Sequence, residues 1–146
     1  MSKHNVERFL EAQDFGNPTL YELALSELLS GRKDSHWIWF ILPCHINLAK
    51  SDWSLFFGIR TKEEFDEYLK NYTLRQRYFR ILELIHAKTD NYNDLVYLMG
   101  GEIDALKVIS SLTLFSYSEE PIFLELLTKF GDRCEKTLRI TEGWMF

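Results

Sequence analysis

Apolar residues recur along this chain at three- and four-residue intervals, in short blocks punctuated by capping residues. Val6, Phe9 and Leu10 make the stripe of a first helix from about Asn5 to Gln13. Asn17-Pro18 reads as the next start, with Asn as N-cap and Pro at the first helical position. Leu20, Leu23, Ala24 and Leu28 follow at helical spacing, and Gly31 is the stop. Thr61-Lys62-Glu63-Glu64 is a capping box opening a helix that ends near Lys70. Thr73 can cap the next, with Leu74, Tyr78, Ile81, Leu82 and Ile85 as its apolar positions. A short helix around Asp94 to Met99 stops at Gly100-Gly101, and a longer one covers Glu102 to about Phe115. Pro121 opens the last clear helix, which turns Phe123, Leu126, Leu127 and Phe130 inward before Gly131.

Two stretches stay open between helix and strand. In His36-Trp37-Ile38-Trp39-Phe40-Ile41-Leu42-Pro43, Ser35 can cap a short helix that Pro43 ends, while a buried strand competes. Almost nothing else alternates with period two, which favours the helix. Ser51 to Ile59 is equally ambiguous, and the tail to Phe146 has no decisive pattern. Successive amphipathic helices with short loops predict a mainly α fold, one compact helical domain over residues 1–146 with room for a small β element.

Composition changes the picture in a few places. No repeat or linker divides the 146 residues, and a domain of this length buries roughly 70% of its unfolded surface without a metal or disulfide. The 11 Phe, 7 Tyr and 4 Trp are many for this length; they fill a large core, or some line a pocket for a flat ligand. A net charge of −5 argues against a general nucleic-acid binder, which needs clustered cations to neutralise phosphates. The dense basic stretch Arg75, Arg77 and Arg80 falls on the solvated side of a predicted helix. Cys44 and Cys134 lack zinc-ligand spacing, so neither a metal nor a disulfide framework is expected, and a reduced, cytoplasmic setting is. Met1-Ser2-Lys3-His4-Asn5 has no apolar leader core, and Trp37 to Pro43 is far too short to cross a bilayer.

The chemistry-bearing residues gather in two blocks. On the helix from Glu102 to Phe115, Ile103, Leu106, Ile109 and Leu112 sweep out an apolar face that includes Ser110 and Thr113. Asp104, Lys107 and Ser111 run along one edge of it. The hydroxyls either bond back to carbonyls one turn earlier or face a pocket together with Asp104 and Lys107. The second block is Arg32-Lys33-Asp34-Ser35-His36-Trp37-Ile38-Trp39-Phe40, where charges give way to aromatics and His36 sits at the border. The candidate catalytic residues are therefore Asp104, Lys107 and His36, and the candidate ligand-binding residues are Lys33, Ser35, Trp37, Trp39, Ser110, Ser111 and Thr113. The two blocks are expected to meet in space. No Gly-rich phosphate loop, nucleophile elbow or HExxH occurs, and no cofactor is implied. Gly100-Gly101 could place an anion at a helix N-terminus, but a turn explains it; Cys44 beside His45 makes a poor nucleophile–base pair.

Both blocks carry a family resemblance. Arg8-Phe9-Leu10-Glu11-Ala12-Gln13, Gly31-Arg32-Lys33, Ser35 through Pro43, Leu106-Lys107 and Ser110-Ser111-Leu112-Thr113-Leu114-Phe115 together resemble the bacterial domain of unknown function 1810 family, over about residues 5–140. The resemblance implies a mainly helical cytoplasmic domain without an established activity. Its members often carry the label "calpastatin", which suits a disordered polar inhibitor rather than this aromatic-rich chain. The family usually has Gln where this chain has Cys44. In general layout the chain also resembles the YbiA-like (NADAR) fold of N-glycosidases. That likeness implies a nucleotide-like or ADP-ribose-linked N-glycoside as ligand or substrate. Asp104 would stabilise the sugar cation and activate water, Lys33 and Lys107 would hold phosphate or the departing base, and Trp39 would stack on a ring. On that scheme Asp104→Asn should cost activity and little stability. The alternative is a non-catalytic module for a small ligand or a protein partner.

Overall fold

The computed structural model describes residues 5–131 and 133–144. The opening Met1-Ser2-Lys3-His4 and the last two residues of the tail lie outside them. Ten α-helices occur among the described residues: α1 Glu7–Gln13, α2 Leu20–Ser30, α3 Ile38–Ile41, α4 Asp52–Phe57, α5 Lys62–Lys70, α6 Tyr72–Lys88, α7 Tyr92–Leu98, α8 Glu102–Phe115, α9 Pro121–Phe130 and α10 Glu135–Ile140. Both ambiguous stretches are helical, as α3 and α4. The β element shrinks to an isolated parallel bridge between His45 and Ile59.

Local chemistry explains where boundaries differ from the sequence reading. The cap of α2 is Thr19 rather than Asn17: its hydroxyl accepts from Glu22 N, and the Glu22 carboxylate accepts from Thr19 N. The Asn71 side chain caps α6 two residues before Thr73. Asn91 caps α7, so that helix also starts earlier. At α5, Thr61 caps Glu64 N as expected, but the Glu64 carboxylate turns to Arg60 N and to Arg8.

Aromatic rings fill the centre. Phe115 packs against Tyr78, Tyr68 and Phe65, with centroids 4.5, 5.1 and 5.2 Å apart, and Phe9 meets Tyr68 edge-on. Burying each such side chain stabilises the fold by roughly 1.5–3 kcal/mol. Helix α8 is turned relative to the expected face. Ala105, Val108, Leu112 and Phe115 are fully buried, while Ile103 and Leu106 are 75% and 50% exposed. The run Leu112 to Phe115 is apolar enough to suit either face. Helix α8 packs against α7, α9 and α10, and the small Ala105 faces that core from its first turn. Of the basic stretch on α6, Arg80 is exposed, while Arg75 and Arg77 are half-buried and pair with Glu120 and Asp14, Arg77 also donating to the buried Gln13 side chain.

Candidate functional site

The segment between α2 and α3 is built around a carboxylate that sequence reasoning missed. Glu27, in the last turn of α2, is buried and accepts four hydrogen bonds. Asp34 N (2.8 Å), Ser35 N (2.9 Å) and the Trp37 indole N–H (2.9 Å) donate to Oε1, and the Ser35 hydroxyl donates to Oε2 at 2.6 Å. Burial pushes the Glu27 carboxyl up, but these bonds outweigh it and leave the group below its ordinary value of 4.5. Trp37 is fully buried by this arrangement. Ser35 and Trp37, read as ligand-binding candidates, thus have their polar atoms committed to Glu27. A glutamate at the end of an amphipathic helix gives no signal of its own in the sequence.

Lys33 is buried as well. Its ammonium donates to Ser35 O (2.6 Å), pairs with Asp104 Oδ2 (2.8 Å) and lies 5.0 Å from the Trp37 ring centre. Gly100 allows this close approach, because a Cβ there would stand 3.0 Å from the Lys33 carbonyl, and its φ of +78° favours glycine. The Gly100-Gly101 pair thus serves as a turn that seats Lys33. The two blocks meet as expected: Lys33 reaches Asp104, and Lys107 places its ammonium 5.4 Å from the Trp39 ring centre and 3.7 Å from Asp104 Oδ1.

Trp39 is the wall shared by two cavities. One, of about 240 Å³, is lined by Trp39, Cys44, Phe57, Lys107, Ser110 and Cys134, and also by Lys50 and Lys136. The other, of about 630 Å³, is an open groove lined by Phe15, His36, Trp39, Trp53 and Phe56. The rings of His36 and Trp53 stack on Trp39 at 6.4 and 6.1 Å, and Trp53 is parallel to Phe57 within 7°. The indole N–H of Trp39 is buried and meets no acceptor. His36 is thereby an exposed residue of the groove and not of the smaller cavity.

Of the remaining candidates, Ser110 lines the smaller cavity, with its hydroxyl donated to Leu106 O at 3.1 Å. Ser111 and Thr113 are fully buried. The Ser111 hydroxyl bonds the Tyr78 hydroxyl at 3.0 Å. Thr113 donates to Ile109 O, the bond one turn back, and accepts from Cys134 N. Ser111, expected on the edge of the helix, thus lies on its core side, while Thr113 stays within the buried face. Asp104 does not line either cavity.

The two thiols are free and share the smaller cavity. Cys44 donates to Lys107 O at 3.4 Å, and desolvation raises its thiol to about 12, against the pull of the Lys107 charge. At Cys134 burial also pushes up, but the nearby polar hydrogens of Ser110, Thr137 and the Lys136 backbone outweigh it, so the thiol lies below its ordinary value. His45 is held below its ordinary value by burial, and its Nδ1 accepts from Asn47 N, so it forms no base for Cys44. Another buried residue missed in the sequence is Arg8. It donates to Phe56 O and Gly58 O and forms a two-pronged pair with Glu64, tying α1 to α4 and α5. Among the described residues no group of three or more His, Cys, Asp or Glu could hold a metal, and no helix is long and apolar enough to cross a membrane.

No curated protein matches this sequence. The crystal structure of the conserved hypothetical protein Rv1873 from Mycobacterium tuberculosis is similar over 95% of this chain and 97% of its own, with a TM-score of 0.81 and 29% identity. A family described as "Protein of unknown function (DUF1810)" matches residues 3–141, a span that contains both blocks, the Glu27 and Lys33 networks and both cavities. With nearly its whole length matched, the chain belongs to the DUF1810 family.

Proposed function

We propose that this protein binds a small anionic molecule carrying a flat ring, nucleotide-like in chemistry and no larger than a mononucleotide, in the cavity between Trp39 and Lys107. The observation that carries this reading is the charge of the cavity. Lys50, Lys107 and Lys136 line it, and no carboxylate does among the described residues, on a chain whose net charge is −5. Its walls are otherwise apolar and aromatic, which suits a ring, and a small number of polar groups would orient it. Ser110 lines the cavity, and its hydroxyl, donated to Leu106 O, retains lone pairs to accept from a ligand. The volume of about 240 Å³ lies just under the roughly 300–1,000 Å³ of drug-sized pockets, so an ADP-ribose-sized ligand would insert only one end.

Binding is favoured over N-glycoside hydrolysis by the position of Asp104. Its carboxylate is paired with two ammonium groups and does not line the cavity, so it is not placed beside a sugar bound there. The exposed rings of Phe15 (71%) and Trp53 (59%) along the larger groove favour a second reading, a protein-interaction module.

A thermal-shift series separates these. A nucleoside monophosphate at 100 times its dissociation constant adds about 2.7 kcal/mol of stability, on the order of 5–10 °C for a domain of this size. The matching uncharged nucleoside should shift it far less. If no small anion shifts the transition, the cavity reading fails and the interaction module takes its place.

A further inference from the structure

The larger groove presents aromatic rings to solvent. Phe15, Trp53 and Phe56 are exposed along it, beside the partly buried Trp39. Neighbouring exposed rings of this kind mark a surface that meets a partner. Elsewhere the chain supplies its own cation to a partly exposed ring. Arg32 stands over Tyr97, Arg75 over Phe79, Arg77 over Tyr21 and Lys107 over Trp39, at 5.1, 4.9, 4.8 and 5.4 Å from the ring centres. Among the described residues no cation stands over Phe15, Trp53 or Phe56. The charge beside these three rings is negative. Glu11 lines the groove, is exposed and forms no ion pair among the described residues. Arg8 lines it too, but is buried and committed to the Glu64 carboxylate and to the Phe56 and Gly58 carbonyls. Glu7 lies one turn before Glu11 on α1, and Asp52 one turn before Phe56 on α4, so each shares a helix side with a groove residue. Both are exposed and likewise form no ion pair among the described residues. Trp39 thus separates a cavity lined by lysines from a groove edged by carboxylates.

We propose that this groove is a docking surface for an arginine-bearing segment of a partner protein. The guanidinium groups lie on Trp53 and Phe56, as the chain's own arginines lie on Tyr97 and Phe79, and Glu11 and Asp52 meet their charge. Arginine suits the surface better than lysine, because a planar guanidinium both stacks on a ring and forks to a carboxylate. A wholly apolar segment would leave the carboxylates unanswered. A second copy of this chain fits poorly, because groove against groove sets acid against acid on a chain of net charge −5. The proposal rests on the interaction reading of the groove, names the chemistry of the partner, and is independent of the anion cavity on the other side of Trp39.

The probe is an acetylated, amidated hexapeptide of alternating arginine and leucine, compared with versions carrying lysine, serine or glutamate in place of arginine. Binding to the intact chain is followed by NMR through the tryptophan indole N–H signals. The arginine peptide should shift Trp53 and Trp39 and leave Trp37, buried against Glu27, in place. It should bind about threefold or more tighter than the lysine peptide, and the serine and glutamate peptides should not bind at the same concentrations. Glu11→Lys should weaken the arginine peptide by about tenfold or more, because it turns an attraction into a repulsion. Trp53→Ala should abolish the shift at Trp39. Glu11→Lys alters an exposed position and keeps the test decisive if Trp53→Ala fails to fold. Three results would overturn the proposal: no shift at Trp53 or Trp39, equal binding of the serine peptide, or Trp53 shifts that follow protein concentration without any peptide. The second would indicate a purely apolar partner, and the third a second copy of the chain. A nucleoside monophosphate should stabilise Glu11→Lys as it does wild type, and Lys107→Gln should bind the arginine peptide unchanged. Loss of peptide binding alone therefore removes the arginine surface, and loss of anion stabilisation alone removes the cavity reading.

Discussion

Lys33 Nζ lies 2.8 Å from Asp104 Oδ2, and this contact joins the loop before α3 to the first turn of α8. The lysine is the buried partner, with its side chain 5% exposed against 23% for the aspartate. Removing the aspartate charge therefore leaves a buried ammonium without a counter-charge, held by the Ser35 carbonyl, the Trp37 ring and at most an amide oxygen. Asp104→Asn should cost on the order of 3 kcal/mol, a fall in Tm of roughly 6–12 °C. That revises the sequence expectation of little stability change for this variant. Lys33→Met, which fills the same space without charge, should cost less, because Asp104 retains Lys107. In the Lys33→Met background Asp104→Asn should become nearly neutral, and a double-mutant cycle by urea unfolding reads this directly. Equal penalties in both backgrounds would show that the pair does not couple.

The Glu27 network predicts a pH dependence with a definite sign. A carboxylate whose folded value is depressed contributes stability that is fully present above the unfolded value, here 4.5, and lost as pH falls through the folded one. Glu27→Gln keeps an oxygen for the Asp34, Ser35 and Trp37 donors but removes the titration. Its urea midpoint should be lower than wild type near neutrality and converge on it below pH 4. His45 supplies an internal control. Its value is depressed by burial, so protonation starts to favour the unfolded chain below 6.5. That earlier loss should be the same in wild type and Glu27→Gln. Parallel curves over the whole range would remove Glu27 from the acid transition.

Legibility divided along physical lines. Helices α8 and α9 were readable because Gly101, Pro121 and Gly131 punctuate long apolar periods. The cap of α2 was misplaced because Asn17-Pro18 and Thr19 both resemble a start, and only the reciprocal Glu22 bond decides between them. The meeting of the two blocks was legible because each mixes charge with aromatics where an ordinary helix would not. What each block does there was not, because Glu27 and Arg8 act through contacts eight or more residues away in sequence, to Ser35 and Glu64. The face of α8 was unreadable because its apolar residues span more than half of its circumference. Only the neighbouring helices decide which part is covered.

Ser111 offers a test of that turned helix. As a core residue it satisfies the Tyr78 hydroxyl at 3.0 Å. Ser111→Ala leaves this buried hydroxyl without a partner and should cost about 1–3 kcal/mol, with no effect on anion binding. Tyr78→Phe should cost less, because the serine can turn back to a carbonyl of its own helix. Loss of binding with unchanged stability in Ser111→Ala would place it in a pocket instead.

Gly58 sets the floor of the smaller cavity by close approach rather than by unusual backbone. A Cβ at this position would lie 2.6 Å from Ile46 Cα and 2.8 Å from Ile46 Cβ. The chain segments there are joined by Ile46 N to Ile59 O and Ile59 N to Cys44 O, both 2.9 Å. Gly58→Ala must push them apart, at about 1–3 kcal/mol for an overpacked site. Displacing Cys44 and Ile46 also moves the cavity wall, so anion-induced stabilisation should fall with it. Alanine tolerated at full stability would mean that the crossing is looser than these distances require.

Lys107 is the residue on which binding should depend most. Its ammonium stands over Trp39 at 5.4 Å and reaches Asp104 at only 3.7 Å, a long pair from which an arriving phosphate or carboxylate can take it. Its side chain is 34% exposed, so that pair contributes little to folding. Lys107→Gln should leave the unfolding midpoint within about 0.5 kcal/mol of wild type. A hydrogen bond to a charged group is worth about 1.5–3 kcal/mol, so affinity for a nucleoside monophosphate should drop at least tenfold. Lys107→Arg keeps the charge but is bulkier beside Trp39, and should recover part of the loss. Raising salt should weaken wild-type binding more than that of Lys107→Gln, because one fewer cation is being screened. Titration calorimetry at two ionic strengths measures both effects, and unchanged affinity in Lys107→Gln would mean that the anion does not enter beside Trp39.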